Sequence, residues 1–87
     1  MEIKYSDKSV KQLKKICKTD KKYAALIMKK IEDYAKNPSG NFDIKTLKGK
    51  FEDLKRLRVR DYRIIFDEGN NVLFIYEVKH RKEAYND

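Results

Sequence analysis

Cysteine, histidine, glycine and proline are all scarce in this 87-residue sequence, and tryptophan is missing. The one cysteine, Cys17, closes no internal disulfide and cannot build a Cys-rich zinc site. The one histidine, His80, rules out a multi-histidine metal centre. Three glycines and one proline leave no glycine-rich phosphate loop, and each marks a boundary. The longest apolar run is a few residues, far short of the ~20 that cross a bilayer. The start, Met1-Glu2-Ile3-Lys4-Tyr5, shows no apolar segment of the kind that directs secretion. Acidic neighbours such as Glu32-Asp33 and Glu52-Asp53 diverge on a helix or strand, so they form no paired-carboxylate site. A free thiol without an export signal predicts a cytoplasmic protein with no membrane association.

Positive charge is abundant. Lys and Arg number 22 against 14 Asp and Glu, a net charge of +8. The hydrophobic share of 40% is large enough to build a core, which argues against disorder. The length fits a single domain over 1–87. The charge favours a polyanion such as nucleic acid, or an acidic protein, as partner.

Residues 2–6 alternate apolar and polar, a short strand. Ser6 or Asp7 caps a helix whose apolar face is Val10, Leu13, Ile16 and Cys17, and this places Cys17 in the core. Lys8, Lys11, Lys14, Lys15 and Lys18 take the solvated side. Thr19-Asp20 caps a second helix with Tyr23, Ala24, Ile27, Met28, Ile31, Tyr34 and Ala35 on one stripe. It stops near Asn37-Pro38, because a residue before proline resists the α region. The short break between the helices predicts an antiparallel helical hairpin. From residue 54 the period becomes two. Leu57 and Val59, then Tyr62, Ile64 and Phe66, mark two strands. Glu68-Gly69-Asn70-Asn71 is a turn in which Gly69 or Asn70 takes positive φ. Val72–Val78 reads as the most buried, central strand. The order β-α-α-β-β-β gives an α+β domain: an N-terminal strand, a helical hairpin, a three-stranded antiparallel meander in the same sheet, and a short C-terminal turn or helix.

The basic residues concentrate between Lys45 and Arg63. Lys45, Lys48, Lys50, Lys55, Arg56, Arg58, Arg60 and Arg63 face only Glu52, Asp53 and Asp61. Arg56, Arg58 and Arg60 stand two apart on a predicted strand, so all three project from one face. Like charges side by side cost stability unless an anion occupies the face, and the arginine fork binds phosphate bidentately. A solvated edge strand is the blander reading. His80, Arg81 and Tyr85 follow the most apolar strand. They could supply a proton-transfer group, a phosphate ligand and a stacking ring; polar surface and a packing lid are the plain alternatives.

Three segments, in this order and spacing, resemble the RelE/ParE superfamily of toxins. They are Leu47-Lys48-Gly49-Lys50, the run Leu54-Lys55-Arg56-Leu57-Arg58-Val59-Arg60-Asp61-Tyr62-Arg63-Ile64-Ile65-Phe66, and His80-Arg81-Lys82-Glu83-Ala84-Tyr85. The resemblance spans essentially the whole chain. It implies the toxin of a type II toxin–antitoxin module with a RelB-like antitoxin as partner. Two activities are found in such toxins. The RelE-like branch cuts messenger RNA in the ribosomal A site without a metal or other cofactor. The ParE-like branch poisons DNA gyrase. The basic strand face together with Arg81 and Tyr85 favours the RelE-like branch, with the ribosome and messenger RNA as further partners. A relative that only binds RNA is the remaining alternative. Carried over residue by residue, the resemblance assigns catalysis to Arg56, Arg58, Arg63, His80, Arg81 and Tyr85. The remaining cations of the basic segment, Lys45, Lys48, Lys50, Lys55 and Arg60, are RNA contacts. Two positions depart from the pattern. Arg56 and Arg58 stand where one branch has lysines, and arginine is a poor base. Arg60 stands where relatives commonly have glycine in the turn before Asp61-Tyr62-Arg63.

Overall fold

A computed structural model describes residues 1–47 and 54–82. The elements are β1 (Glu2–Tyr5), α1 (Asp7–Thr19), α2 (Lys21–Lys36), β2 (Ile44–Thr46), β3 (Lys55–Val59), β4 (Tyr62–Gly69) and β5 (Val72–His80). Both helices start where a capping side chain meets an orphan amide. Ser6 Oγ accepts from Ser9 N at 3.0 Å, and Asp20 Oδ1 accepts from Tyr23 N at 3.0 Å. Asp20 also closes α1, its N–H donating to Ile16 O at 2.7 Å. One residue therefore ends one helix and begins the next. α2 stops at Asn37, just before Pro38, as the proline requires.

The five strands form one sheet in the order β1-β5-β4-β3-β2. β1 joins β5 in parallel, and the other neighbours are antiparallel. β2 is an addition to the sequence reading. It is three residues long, too short for a period-two pattern to show. β4, not β5, is the middle strand, although β5 is flanked on both sides. The β4–β5 hairpin turns on Asn70 and Asn71, both at positive φ (52° and 62°). That is the requirement of a type I′ turn, and asparagine tolerates it. Gly69 stays in β4, so of the two expected candidates it is Asn70 that takes positive φ, and Asn71 joins it. A bulge interrupts β4–β5 between Ile65 and Phe66: Ile65 faces Glu77 while Phe66 faces Ile75. Tyr76 is the extra residue, and Gln12 of α1 accepts the nearby Val78 N–H at 2.6 Å.

Both helices cover one face of the sheet. The core joins Leu13 and Ile16 of α1, Ala24, Ile27, Ile31, Tyr34 and Ala35 of α2, and Leu57, Val59, Ile64, Phe66, Leu73, Ile75 and Val78 of the sheet. The α1 stripe is narrower than its apolar residues suggest. Cys17 is exposed, and so is Val10; on the α2 stripe, Met28 is exposed as well. Cys17 follows Ile16 by about 100° around the helix, which carries it off a stripe centred on Leu13 and Ile16.

Candidate functional site

Cross-strand partners share a face, so the register sorts the basic residues. Leu57, Val59, Ile64 and Val78 lie under the helices. Their alternates, Arg58, Arg63 and Lys79, lie on the opposite, open face. There Arg58 pairs with Arg63 and Arg63 with Lys79. Three cations thus stand in a row across β3, β4 and β5. The next row carries Lys45, Arg56, Ile65 and Glu77.

Two carboxylates balance this band. Asp43 precedes β2 and reaches both strand arginines, with Arg56 Nη1 at 3.3 Å and Arg58 Nε at 3.9 Å. Its carbonyl also accepts from Arg58 N at 3.0 Å. Arg56 is only 6% exposed. Its guanidinium is therefore set into the sheet surface rather than offered to solvent, and Arg58 is the accessible member of the pair. Glu77 binds Lys79 at 3.1 Å and also Lys8 of α1. Burial alone would raise its pKa, but the hydrogen bonds and charges of Lys8 and Lys79 hold it below the ordinary carboxylate value.

At the end of the sheet, Arg81 closes the band. Its N–H donates to Asp61 O at 2.7 Å, and its Nε lies 3.6 Å from Asp61 Oδ1. The structure therefore brings Arg58, Arg63, Lys79 and Arg81 to one end of the open face.

Other assigned residues lie elsewhere. Arg60 does not continue the face of Arg56 and Arg58. It sits in the two-residue β3–β4 turn at φ 54°, and a period of two ends where the strand ends. Only the first central residue of this turn has positive φ, the pattern of a II′ turn, where glycine is usual. An L-residue there costs about 1–2 kcal/mol. Lys55 points to the helix side, where its Nζ binds Glu68 at 2.7 Å and Glu68 accepts from Tyr34 OH at 2.6 Å. His80 pairs with Tyr62 in the register and stands edge-on to its ring at 5.1 Å. It too lies on the helix side, with Nδ1 accepting from Lys82 N at 3.2 Å. Lys45 is exposed on the edge strand β2. Lys48, Lys50 and Tyr85 lie outside the described residues.

Lys79, Asp43 and Asp61 are members of the site that the sequence reading missed. Lys79 falls directly after the apolar run, one residue before His80. Asp43 lies in a stretch without periodicity.

The architecture is thus an α+β sheet with a helical hairpin on one face and a cationic band on the other. The family described as the ParE toxin of type II toxin–antitoxin systems matches residues 3–85. The chain belongs to that family, within the RelE/ParE superfamily. Among solved structures, the RelB–RelE antitoxin–toxin complex from Methanococcus jannaschii matches with a TM-score of 0.74 at 28% identity, covering 95% of each chain. A YoeB/ParE toxin from Agrobacterium tumefaciens matches with a TM-score of 0.78 at 17% identity, over 92% of this chain and 98% of that one. The toxin of a YoeB–YefM toxin–antitoxin complex from Staphylococcus aureus matches with a TM-score of 0.77 at 19% identity, over 92% and 95%. No curated protein matches the sequence.

Proposed function

We propose that this type II toxin is a ribosome-dependent endoribonuclease that cuts messenger RNA in the ribosomal A site and so stops translation. The observation that carries the reading is the row Arg58–Arg63–Lys79 with Arg81 at its end. Three like charges in cross-strand register oppose folding, and they make chemical sense where a phosphate will lie.

Cleavage requires the 2′-hydroxyl to lose a proton and attack the adjacent phosphorus in line. Negative charge then grows on the phosphorane oxygens, and the 5′-oxygen leaves with a proton. Fixed cations stabilise that charge without reorganising. Arg58, Arg63 and Arg81 take this role, with Lys79 beside them. Arg56, held by Asp43, sets the positive potential beneath the phosphate. None of the arginines serves as a base, because a guanidinium keeps its proton in water. Lys55 is committed to Glu68 on the other face. His80 also lies on that face, edge-on to Tyr62, so the proton is moved by Tyr85 or by a group of the RNA or ribosome. Lys45, Lys48, Lys50 and Arg60 contact the RNA backbone around the cut, and no metal is needed. The toxin works in the cytoplasm as one domain. Its antitoxin, by analogy with RelB and YefM in the complexes above, covers the basic face through an acidic or amphipathic segment.

The test is cleavage of a defined messenger RNA on programmed ribosomes, mapped by primer extension, with Arg81→Ala alongside. A cut in the A-site codon that disappears in the variant is the expected result. The family's ParE members supply a second reading, inhibition of DNA gyrase without nuclease activity. Under that reading, replacing Arg63, Arg81 and Tyr85 together by alanine leaves toxicity intact, and that outcome would sink the nuclease.

A further inference from the structure

Tyr23 belongs to α2, on the far side of the sheet from the cationic band, yet its hydroxyl ends at the band's last turn. It accepts the Asp61 N–H at 2.8 Å. Asp61 in turn holds Arg81, through its carbonyl at 2.7 Å and its carboxylate at 3.6 Å. The same ring stands edge-on to Tyr62 at 5.0 Å, and Tyr62 stands edge-on to His80 at 5.1 Å. One side chain thus reaches Arg81, which closes the proposed site, along a hydrogen-bonded route, and packs through Tyr62 toward His80 on the helix side.

We propose that Tyr23 is a positioning residue: its hydroxyl fixes the Arg60–Asp61 turn, and the turn fixes where Arg81 presents its guanidinium. The proposal rests on the nuclease reading and adds to it. Two features of the turn give it weight. Arg60 sits at φ 54°, a conformation that persists only where the surroundings over-determine it. The Tyr23 hydroxyl and the Arg81 amide are two such restraints, one on each peptide group of Asp61. The Asp61–Arg81 ion pair cannot do the positioning alone, because its side chains are 51% and 66% exposed, and exposed pairs contribute little. The backbone bonds do it, and Tyr23 is the link that ties them to the helix layer.

Tyr23→Phe removes the hydroxyl and keeps the ring against Tyr62. The test compares this variant with the wild type in two measurements. The first is single-turnover messenger RNA cleavage on programmed ribosomes, read as rate constant, amplitude and half-saturating concentration. The second is amide hydrogen exchange at Asp61 and Arg81 in the free protein. The expected result is a rate constant lowered several-fold to about tenfold, as loss of one aligning hydrogen bond permits. Amplitude and half-saturation stay unchanged, and the Arg81 amide exchanges faster. A rate constant equal to wild type overturns the proposal. So does a lowered amplitude at unchanged rate constant, which reports only less folded protein. If the wild type itself makes no cut, the nuclease reading fails, and amide exchange decides the clamp separately: unchanged Arg81 protection in Tyr23→Phe refutes it, and faster exchange upholds it.

Discussion

Glu68 offers a direct way to separate residues that hold the fold from residues proposed to meet RNA. Its carboxylate accepts from Tyr34 OH at 2.6 Å and from Lys55 Nζ at 2.7 Å, tying α2, β3 and β4 together on the helix side. Tyr34 is 4% exposed, so Glu68→Ala leaves its hydroxyl without that acceptor inside the core. Such a stranded group costs about 1–3 kcal/mol. The Lys55–Glu68 pair is 37% and 20% exposed, so screening limits its share to roughly 0.5–1 kcal/mol. Together the variant is expected to lose about 2–3 kcal/mol, or roughly 10–20 °C in Tm for a domain of this size. Urea titration of Glu68→Ala, Tyr34→Phe and the double variant measures it. Tyr34→Phe alone costs about 1 kcal/mol, and the double variant costs less than the sum by about 1–2 kcal/mol, because the stranded hydroxyl is gone. Additive losses, or a Glu68→Ala loss under ~0.5 kcal/mol, would refute the network. RNA affinity per folded molecule should stay at the wild-type level, since Lys55 freed from Glu68 still lies on the helix side. A gain in affinity would place Lys55 back in the site.

Other expectations concern acid stability, the strained turn and the missed lysine. Glu68 and Glu77 are both held below the ordinary carboxylate value of 4.5 in the folded state, since the lysine contacts outweigh burial and, at Glu68, Tyr34 adds to them. A depressed folded pKa means stability is fully present above about 4.5 and is lost as pH falls through the lower, folded values. Urea midpoints should be flat near neutrality and fall below about pH 4.5, less steeply in Glu68→Gln; an equal slope in the variant contradicts the assignment. At the β3–β4 turn, Arg60→Gly relieves about 1–2 kcal/mol of left-handed strain but gives back about 0.5–1 kcal/mol in unfolded-chain entropy. Thermal scans should show it equal to or slightly above wild type, whereas Arg60→Val should melt lower. Lys79→Ala removes a cation from the row and should weaken RNA binding several-fold while flattening its salt dependence by about one phosphate contact; an unchanged salt slope would remove Lys79 from the interface.

The helices were legible because their signals are local. Ser6 and Asp20 cap as their chemistry demands, and Pro38 ends α2. The meander was legible from alternation, and so was the shared face of Arg56 and Arg58. What failed depends on breaks in counting. The bulge inserts Tyr76, so the parity that buries Leu73 and Ile75 buries Val78 rather than Glu77. Counting by two from Leu73 would put Lys79 inside and His80 outside, the reverse of what the strand does. Counting by two put Arg60 on the strand face because no glycine or asparagine marks the turn there, whereas the family resemblance places it in that turn, where it lies. Arg56 was rightly placed on the face but its burial was hidden, because its partner Asp43 precedes a strand too short to read.

The parallel pairing of β1 with β5 has a consequence for when the protein acquires its shape. Glu2 meets Val72 and Tyr5 meets Ile75. Closing a span of that length costs roughly 4 kcal/mol in chain entropy before any contact offsets it. During synthesis, β1 leaves the ribosome early and stays unpaired until residues 72–75 emerge. His80 and Arg81 follow within a few residues. The sheet and the cationic end that it carries therefore come together at nearly the same moment. A chain that stops short of residue 72 lacks both the β1–β5 pairing and the cationic end.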